Sequence, residues 1–131
     1  MVRLSALSSV FTPMRASSVA QAERRSHSLT HIRNIAHLRI NECDRLSACA
    51  TELARIGVKT EESADSLTIY GLGPEKPSIP EGTVFQTYND HRLAMSCSLL
   101  GLATGQAVTV DSPSVVRKSF PEFWNVWSAL L

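Results

Sequence analysis

Three stretches of this chain carry apolar residues at a helical period, and short runs with a two-residue period separate them. That alternation is what most limits the fold. In the first stretch Leu46, Cys49, Ala50, Leu53 and Ala54 fall at i, i+3, i+4, i+7 and i+8, one face of a helix. Asn41 is placed to cap it, Glu42 and Asp44 enrich its first turn, and Gly57 supplies the stop. The second helix is expected from Asn89 or Asp90 to about Gly105, burying Leu93, Ser96, Cys97 and Leu100. The third opens at Pro121 and puts Phe120, Phe123, Trp124, Trp127, Leu130 and Leu131 on one face, a stripe expected in the core.

Between them, residues 30–35, 58–62, 66–70, 83–87 and 107–110 read as strands. In the run 66–70, Leu67 and Ile69 face one way while Ser66, Thr68 and Tyr70 face the other. Pro74, Pro77 and Pro80 make residues 71–82 a loop. The order β-α-β-β-(β)-α-β-α predicts an α/β layered arrangement.

A content of 44% apolar and 19% charged residues is that of a globular chain, and a net charge of +1 gives no support to general nucleic-acid binding. No apolar run reaches the roughly 18 residues that span a bilayer, so a soluble protein is expected. Cys43, Cys49 and Cys97 show no paired spacing and read as reduced, buried thiols. His27, His31, His37 and His91 lack ligand-like spacing with cysteines or acids, so no metal site is expected. Residues 1–29 stand apart: Arg3, Arg15, Arg24 and Arg25 face a single acid, Glu23. The segment is left as an unassigned leader, either transit-like, disordered or non-native.

The chemistry gathers at two helix starts. Unpaired N–H groups there favour phosphate or carboxylate, and Arg45 and Arg92 would each add a planar fork able to take such a group in two hydrogen bonds. Lys118, on a loop before Ser119-Phe120-Pro121, could add a third cation. Glu42, three residues before Arg45, reads either as an acid/base group or as a first-turn acid complementing the helix dipole. His91 is open in the same way between a structural and a catalytic role. A weak internal echo links Asp44-Arg45-Leu46-Ser47-Ala48-Cys49 with His91-Arg92-Leu93-Ala94-Met95-Ser96-Cys97, allowing one insertion.

Three motifs carry a family likeness. Asn34-Ile35-Ala36-His37-Leu38-Arg39-Ile40-Asn41-Glu42-Cys43-Asp44-Arg45-Leu46 resembles a stretch with a Lys-Glu-x-Asp-Arg core. Thr87-Tyr88-Asn89-Asp90-His91-Arg92-Leu93-Ala94-Met95 is similar to the most specific motif of EPSP synthases (3-phosphoshikimate 1-carboxyvinyltransferases). Val116-Arg117-Lys118-Ser119-Phe120-Pro121-Glu122-Phe123 resembles their closing Lys-Thr-Phe-Pro signature. The likeness covers residues 30–131. It implies part of one domain of the two-domain enolpyruvyl transferase fold, built from repeated β-α-β-α-β-β units.

The resemblance also implies transfer of the enolpyruvyl group of phosphoenolpyruvate to the 5-hydroxyl of shikimate 3-phosphate, with release of phosphate and with no cofactor. By that likeness Arg45, Arg92 and Lys118 bind phosphoenolpyruvate, Lys118 also serving proton traffic, and Glu42 manages the methylene proton. His91 supports the clamp, and His37 and Asn41 touch shikimate 3-phosphate. The family usually has lysine where this chain has Asn41, which removes a charge. Family members are much longer, so the likeness implies a piece that needs the opposite domain, in cis or in trans, and is inactive alone. The alternative is a non-catalytic anion-binding or interaction module. The run Asn89-Asp90-His91-Arg92 argues against the sister transferase that acts on a UDP-sugar. The family implies a cytoplasmic location, or a plastid one if the leader is a transit peptide.

Overall fold

A computed structural model describes residues 28–73 and 77–130. The leader reading falls almost wholly on residues 1–27, outside the described residues, as do residues 74–76 of the proline loop and Leu131 of the aromatic stripe.

The chain forms β1 (Leu29–Ile32), a 3-10 turn (Ala36–Arg39), α1 (Arg45–Arg55), β2 (Thr60–Glu62), β3 (Leu67–Tyr70), β4 (Val84–Phe85), α2 (His91–Thr104), β5 (Thr109–Val110), a 3-10 turn (Pro113–Lys118) and α3 (Phe123–Leu130). The expected order holds, and the strands are shorter than their sequence runs. Strands β1, β3 and β2 make an antiparallel sheet with β3 central, while β4 and β5 pair in parallel. Alternation in β3 is as expected: Leu67 is buried and Ile69 packs into the core. On the opposite face Thr68 meets His31 at 2.6 Å and the Tyr70 hydroxyl donates to Glu61.

Both long helices end where a glycine permits it. After α1, Gly57 takes φ +78, its N–H donates to Ala54, and the Val58 N–H donates to Leu53, a Schellman closure. After α2, Gly105 takes φ +71 and donates to the Gly101 carbonyl at 2.8 Å.

The start of α1 differs from expectation. Asp44, not Asn41, is the cap: its carboxylate accepts the Ser47 N–H at 3.1 Å. Arg39 explains the choice. Its guanidinium holds Asp44 at 2.6 Å, donates to the Ala64 carbonyl and to that of Ser63, and approaches Glu62 at 3.6 Å. One arginine thereby ties the first 3-10 turn, the start of α1 and the β2–β3 hairpin together, leaving Asn41 and Glu42 upstream of the helix. In α2 the cap is Asp90, within the expected region. The sequence echo now has a physical content: each long helix follows a capping aspartate, Asp44 directly before Arg45 and Asp90 two residues before Arg92.

The core has two lobes. Ile56, Val58, Phe85 and Cys97 form one, joined by Leu53, Ile69, Leu72, Leu100 and Val108. Ala94, Val115 and Val116 form the other, against Met95, Phe123 and Trp124. Three packing expectations fail. Cys43 and Cys49 are only half-buried, and of the three thiols Cys97 alone is buried. Ser96 is exposed, because the buried stripe of α2 runs through Leu93, Ala94, Cys97 and Ser98. The aromatic stripe of α3 is only half-buried: Phe123, Trp124 and Trp127 lean inward, while Phe120 and Leu130 are exposed. One side of α3 rests on the Ala94 lobe, and no described element covers the other. No described helix is long and apolar enough to cross a membrane.

Candidate functional site

The site assembles at the N-terminus of α2. The turn before it is unusual, since Tyr88 and Asn89 take φ +51 and +56 in succession. Left-handed backbone is uncommon outside glycine and needs support from its surroundings. The Thr87 N–H donates to Asp111 at 2.8 Å and the Asp90 N–H returns to the Thr87 carbonyl at 2.8 Å. The turn delivers Asp90 to a position with no solvent exposure.

Asp90 has two tasks. Its Oδ1 accepts the Arg92 N–H at 2.8 Å, capping α2, and its Oδ2 accepts Arg45 Nε at 2.6 Å. The Cys43 thiol points at the same Oδ2 from 3.7 Å. Burial pushes the Asp90 carboxyl up, but the Arg45 guanidinium and the N–H groups of Arg92 and Leu93 outweigh it and hold it below its ordinary range. Burial first, then the Asp90 charge, push the Cys43 thiol up to about 11, so it is no activated nucleophile.

Lys118 closes the other side. It ends the second 3-10 turn rather than lying in a loop, and its Nζ donates to Glu42 Oε2 at 2.8 Å and to the Asn89 carbonyl at 2.9 Å. This settles one of the two readings of Glu42. It precedes α1 by three residues and meets an ammonium, so it is not a first-turn acid complementing that helix. Lys118, by its hydrogen bond and its charge, lowers the Glu42 carboxyl.

The first residue of α2 is His91, whose Nδ1 is buried without a partner among the described residues. Arg92 is exposed, and its guanidinium makes no hydrogen bond or ion pair among the described residues. The fold thus brings Glu42, Arg45 and Lys118 together around Asn89 and Asp90, with His91 and Arg92 next in the chain. It does not bring His37 and Asn41 into that cluster. They lie on the neighbouring 3-10 turn and its exit, where the Asn41 amide donates to the His37 carbonyl at 2.9 Å.

The sequence motif places Asp90 at a helix start but gives no sign of its bond to Arg45; a capping acid between a β-run and an apolar helix is its one local signal. Glu52 was missed. It is a charged residue on the buried side of α1, 2% exposed, where both oxygens are engaged. The cleft of about 490 Å³ between α2, β5 and α3, lined by Gly101, Val108, Trp124 and Trp127, lies apart from this cluster.

Comparison with known proteins agrees with the motifs. The sequence profile of the family described as EPSP synthase (3-phosphoshikimate 1-carboxyvinyltransferase) matches residues 10–127, which extends the likeness upstream of residue 30. The chain is 39% identical over 118 residues to a 3-phosphoshikimate 1-carboxyvinyltransferase of Shewanella sediminis, covering 90% of this chain and 26% of that protein. It is 41% identical over 100 residues to one from Clostridium novyi, covering 76% and 22%. Among solved structures, EPSP synthase from Acinetobacter baumannii superposes with a TM-score of 0.68 at 30% identity, over 80% of this chain and 24% of that one. The chain therefore spans about a quarter of the length of the relatives it matches.

Proposed function

Because the chain belongs to the EPSP synthase family, we propose that it carries one side of an enolpyruvyl transfer site, the side that grips phosphoenolpyruvate. The observation that carries this reading is the convergence of Lys118, Glu42 and the Arg45–Asp90 pair at the start of α2. Arg92 has no acceptor among the described residues, and with the unspent donors of Arg45 it offers a fork to phosphate or carboxylate. Lys118 would exchange its bonds to Glu42 and Asn89 for a phosphate oxygen.

Glu42 then becomes free beside the reacting carbon, where, once protonated, it would give a proton to the methylene carbon as the 5-hydroxyl of shikimate 3-phosphate adds and take one back from the resulting methyl as phosphate departs, the hydroxyl proton leaving with the phosphate. His91 would steady the clamp. His37 and Asn41, exposed one turn away, would meet the sugar phosphate, with an amide in place of a charge.

Glu42, Arg92 and Lys118 stand open to water. Enclosure and alignment of two substrates account for about 7–11 kcal/mol of barrier when fully realised. Turnover by this chain alone is therefore expected to be negligible, and activity to need the opposite domain in cis or in trans. The same exposed cations also suit a second reading, an anion-binding module without chemistry.

Calorimetry with phosphoenolpyruvate on the wild type and on Arg92→Ala tests the shared premise. Weak binding that Arg92→Ala abolishes is expected. Absence of binding in both would remove the functional reading of these cations. Transfer catalysed by the purified chain without a partner polypeptide would overturn the expectation of inactivity.

A further inference from the structure

Glu52 is a carboxylate placed where an apolar side chain would be expected, 2% exposed on α1. Its oxygens reach a single neighbouring segment and one arginine. Oε1 accepts the Tyr88 hydroxyl at 2.9 Å, and Oε2 accepts the Gln86 N–H at 3.2 Å and Arg55 Nε at 3.1 Å. The segment it holds is the left-handed turn at Tyr88 and Asn89. Tyr88 is 37% exposed, so its ring is not anchored by deep burial, and its hydroxyl bond to Glu52 is the specific restraint.

What the turn presents on its far side is the cation site. The Asn89 carbonyl receives Lys118 Nζ at 2.9 Å, and the next residue, Asp90, receives Arg45 at 2.6 Å. A peptide relaxed toward the ordinary right-handed or extended regions would rotate the Asn89 carbonyl away from Lys118. Asp111 holds Thr87, and Glu52 holds Gln86 and Tyr88 on either side of it.

We propose that Glu52 is a positioning residue: acting through the Tyr88 hydroxyl, it holds the left-handed turn that aims the Asn89 carbonyl at Lys118 and so sets where that ammonium stands. The use of the ammonium for an anion rests on the function proposed above, whereas its placement does not. The acid acts at a distance from any substrate, as part of the frame of the site.

The test reads the empty site in the whole chain. Tyr88→Phe deletes only the hydroxyl, and Glu52→Gln keeps the shape of the acid. Two NMR signals report the geometry: titration of the Glu42 carboxyl and exchange of the Lys118 ammonium with water. In Tyr88→Phe the Glu42 midpoint is expected to rise toward its ordinary 4.5 and Lys118 exchange to quicken several-fold, with the thermal midpoint within a few degrees of wild type. Arg55→Ala removes the one partner of Glu52 that lies on α1 itself rather than on the turn segment, and both signals should stay at wild-type values. If Glu52→Gln fails to fold, Tyr88→Phe decides alone. Unchanged Glu42 and Lys118 signals in Tyr88→Phe would overturn the proposal, and so would an equal change in Arg55→Ala, which would mark a general structural effect. No phosphoenolpyruvate is present, so failure of the ligand to bind the wild type would remove the proposed function and leave this result standing.

Discussion

Arg45 and Asp90, 45 residues apart in the chain, form the tightest charged contact of the site, Nε to Oδ2 at 2.6 Å. The arginine side chain is 13% exposed and the aspartate 0%. Removing one partner of such a pair leaves the other charge buried and unmatched, which typically costs about 3–5 kcal/mol. Asp90→Asn keeps an oxygen for the Arg92 N–H but loses the charge facing Arg45, and should lose stability at the lower end of that range. Asp90→Ala loses the cap as well and should lose more. Urea unfolding followed by circular dichroism measures both, and a loss under 1 kcal/mol for Asp90→Ala would contradict the account.

Acid should act through the same residue. The folded Asp90 carboxyl lies below its ordinary value of 3.8, so its contribution is complete above that pH. It is lost as the pH falls from about 3.8 through the folded value, because only the unfolded chain readily takes up the proton there. Asp44, lowered first by the Ser47 N–H and also by Arg39, adds in the same direction. Unfolding midpoints measured from pH 6 to pH 2 should show this acid limb, and Asp90→Asn should flatten it.

The thiols should be slow nucleophiles. With Cys43 pushed up to about 11 and Cys97 to about 12, the thiolate fraction of Cys43 at pH 8 is about 0.1%. Alkylation by iodoacetamide followed by mass spectrometry should be many-fold slower in the native chain than in urea, with Cys97 slowest. Native Cys43 reacting at the rate of a free thiol would show that neither burial nor the Asp90 charge holds it back.

Two glycines, one inside α2 and one just after it, should answer differently to alanine. At Gly105, φ +71, a Cβ meets nothing within 4 Å, so Gly105→Ala should cost only the backbone strain, about 1 kcal/mol. At Gly101 the new Cβ would stand 3.0 Å from the Gln106 carbonyl and 3.1 Å from Val108 Cγ2. The gain in helix propensity, also about 1 kcal/mol, is then set against a push between α2 and the chain leading into β5. Gly101→Ala should therefore come out destabilising, and a thermal melt that rises would show that this chain yields freely.

Local signals made the element order and the helix ends legible. Leu46, Leu53, Leu93 and Cys97 recur at the helical period, and Gly57 and Gly105 mark stops that the backbone uses. The motif residues Glu42, Arg45, Arg92 and Lys118 were legible as candidates, and three of them meet around Asp90. The rest depended on partners far along the chain. Asn41 lost the capping position because Arg39 fixes Asp44 against a hairpin 20 residues away, a competition no local spacing reveals. Glu52 was illegible because an acid in an amphipathic helix ordinarily faces water, and only Gln86, Tyr88 and Arg55 justify its burial. The α3 stripe is less buried than its pattern implies, because periodicity gives the apolar face of a helix but not how much of it finds a neighbour.

The double use of Asp90 bears on how a chain like this would change over generations. The carboxylate that faces an arginine of the proposed grip also starts α2, so a substitution that spoils one spoils the other. A lineage that had given up the reaction would still lose folded protein by changing Asp90 or Arg45, and purifying selection on folding alone would keep both. Arg92, exposed and without a partner among the described residues, has no such shelter. Drift at Arg92, with Asp90 and Arg45 held fixed, would be the mark of a descendant that keeps the shape and has left the chemistry.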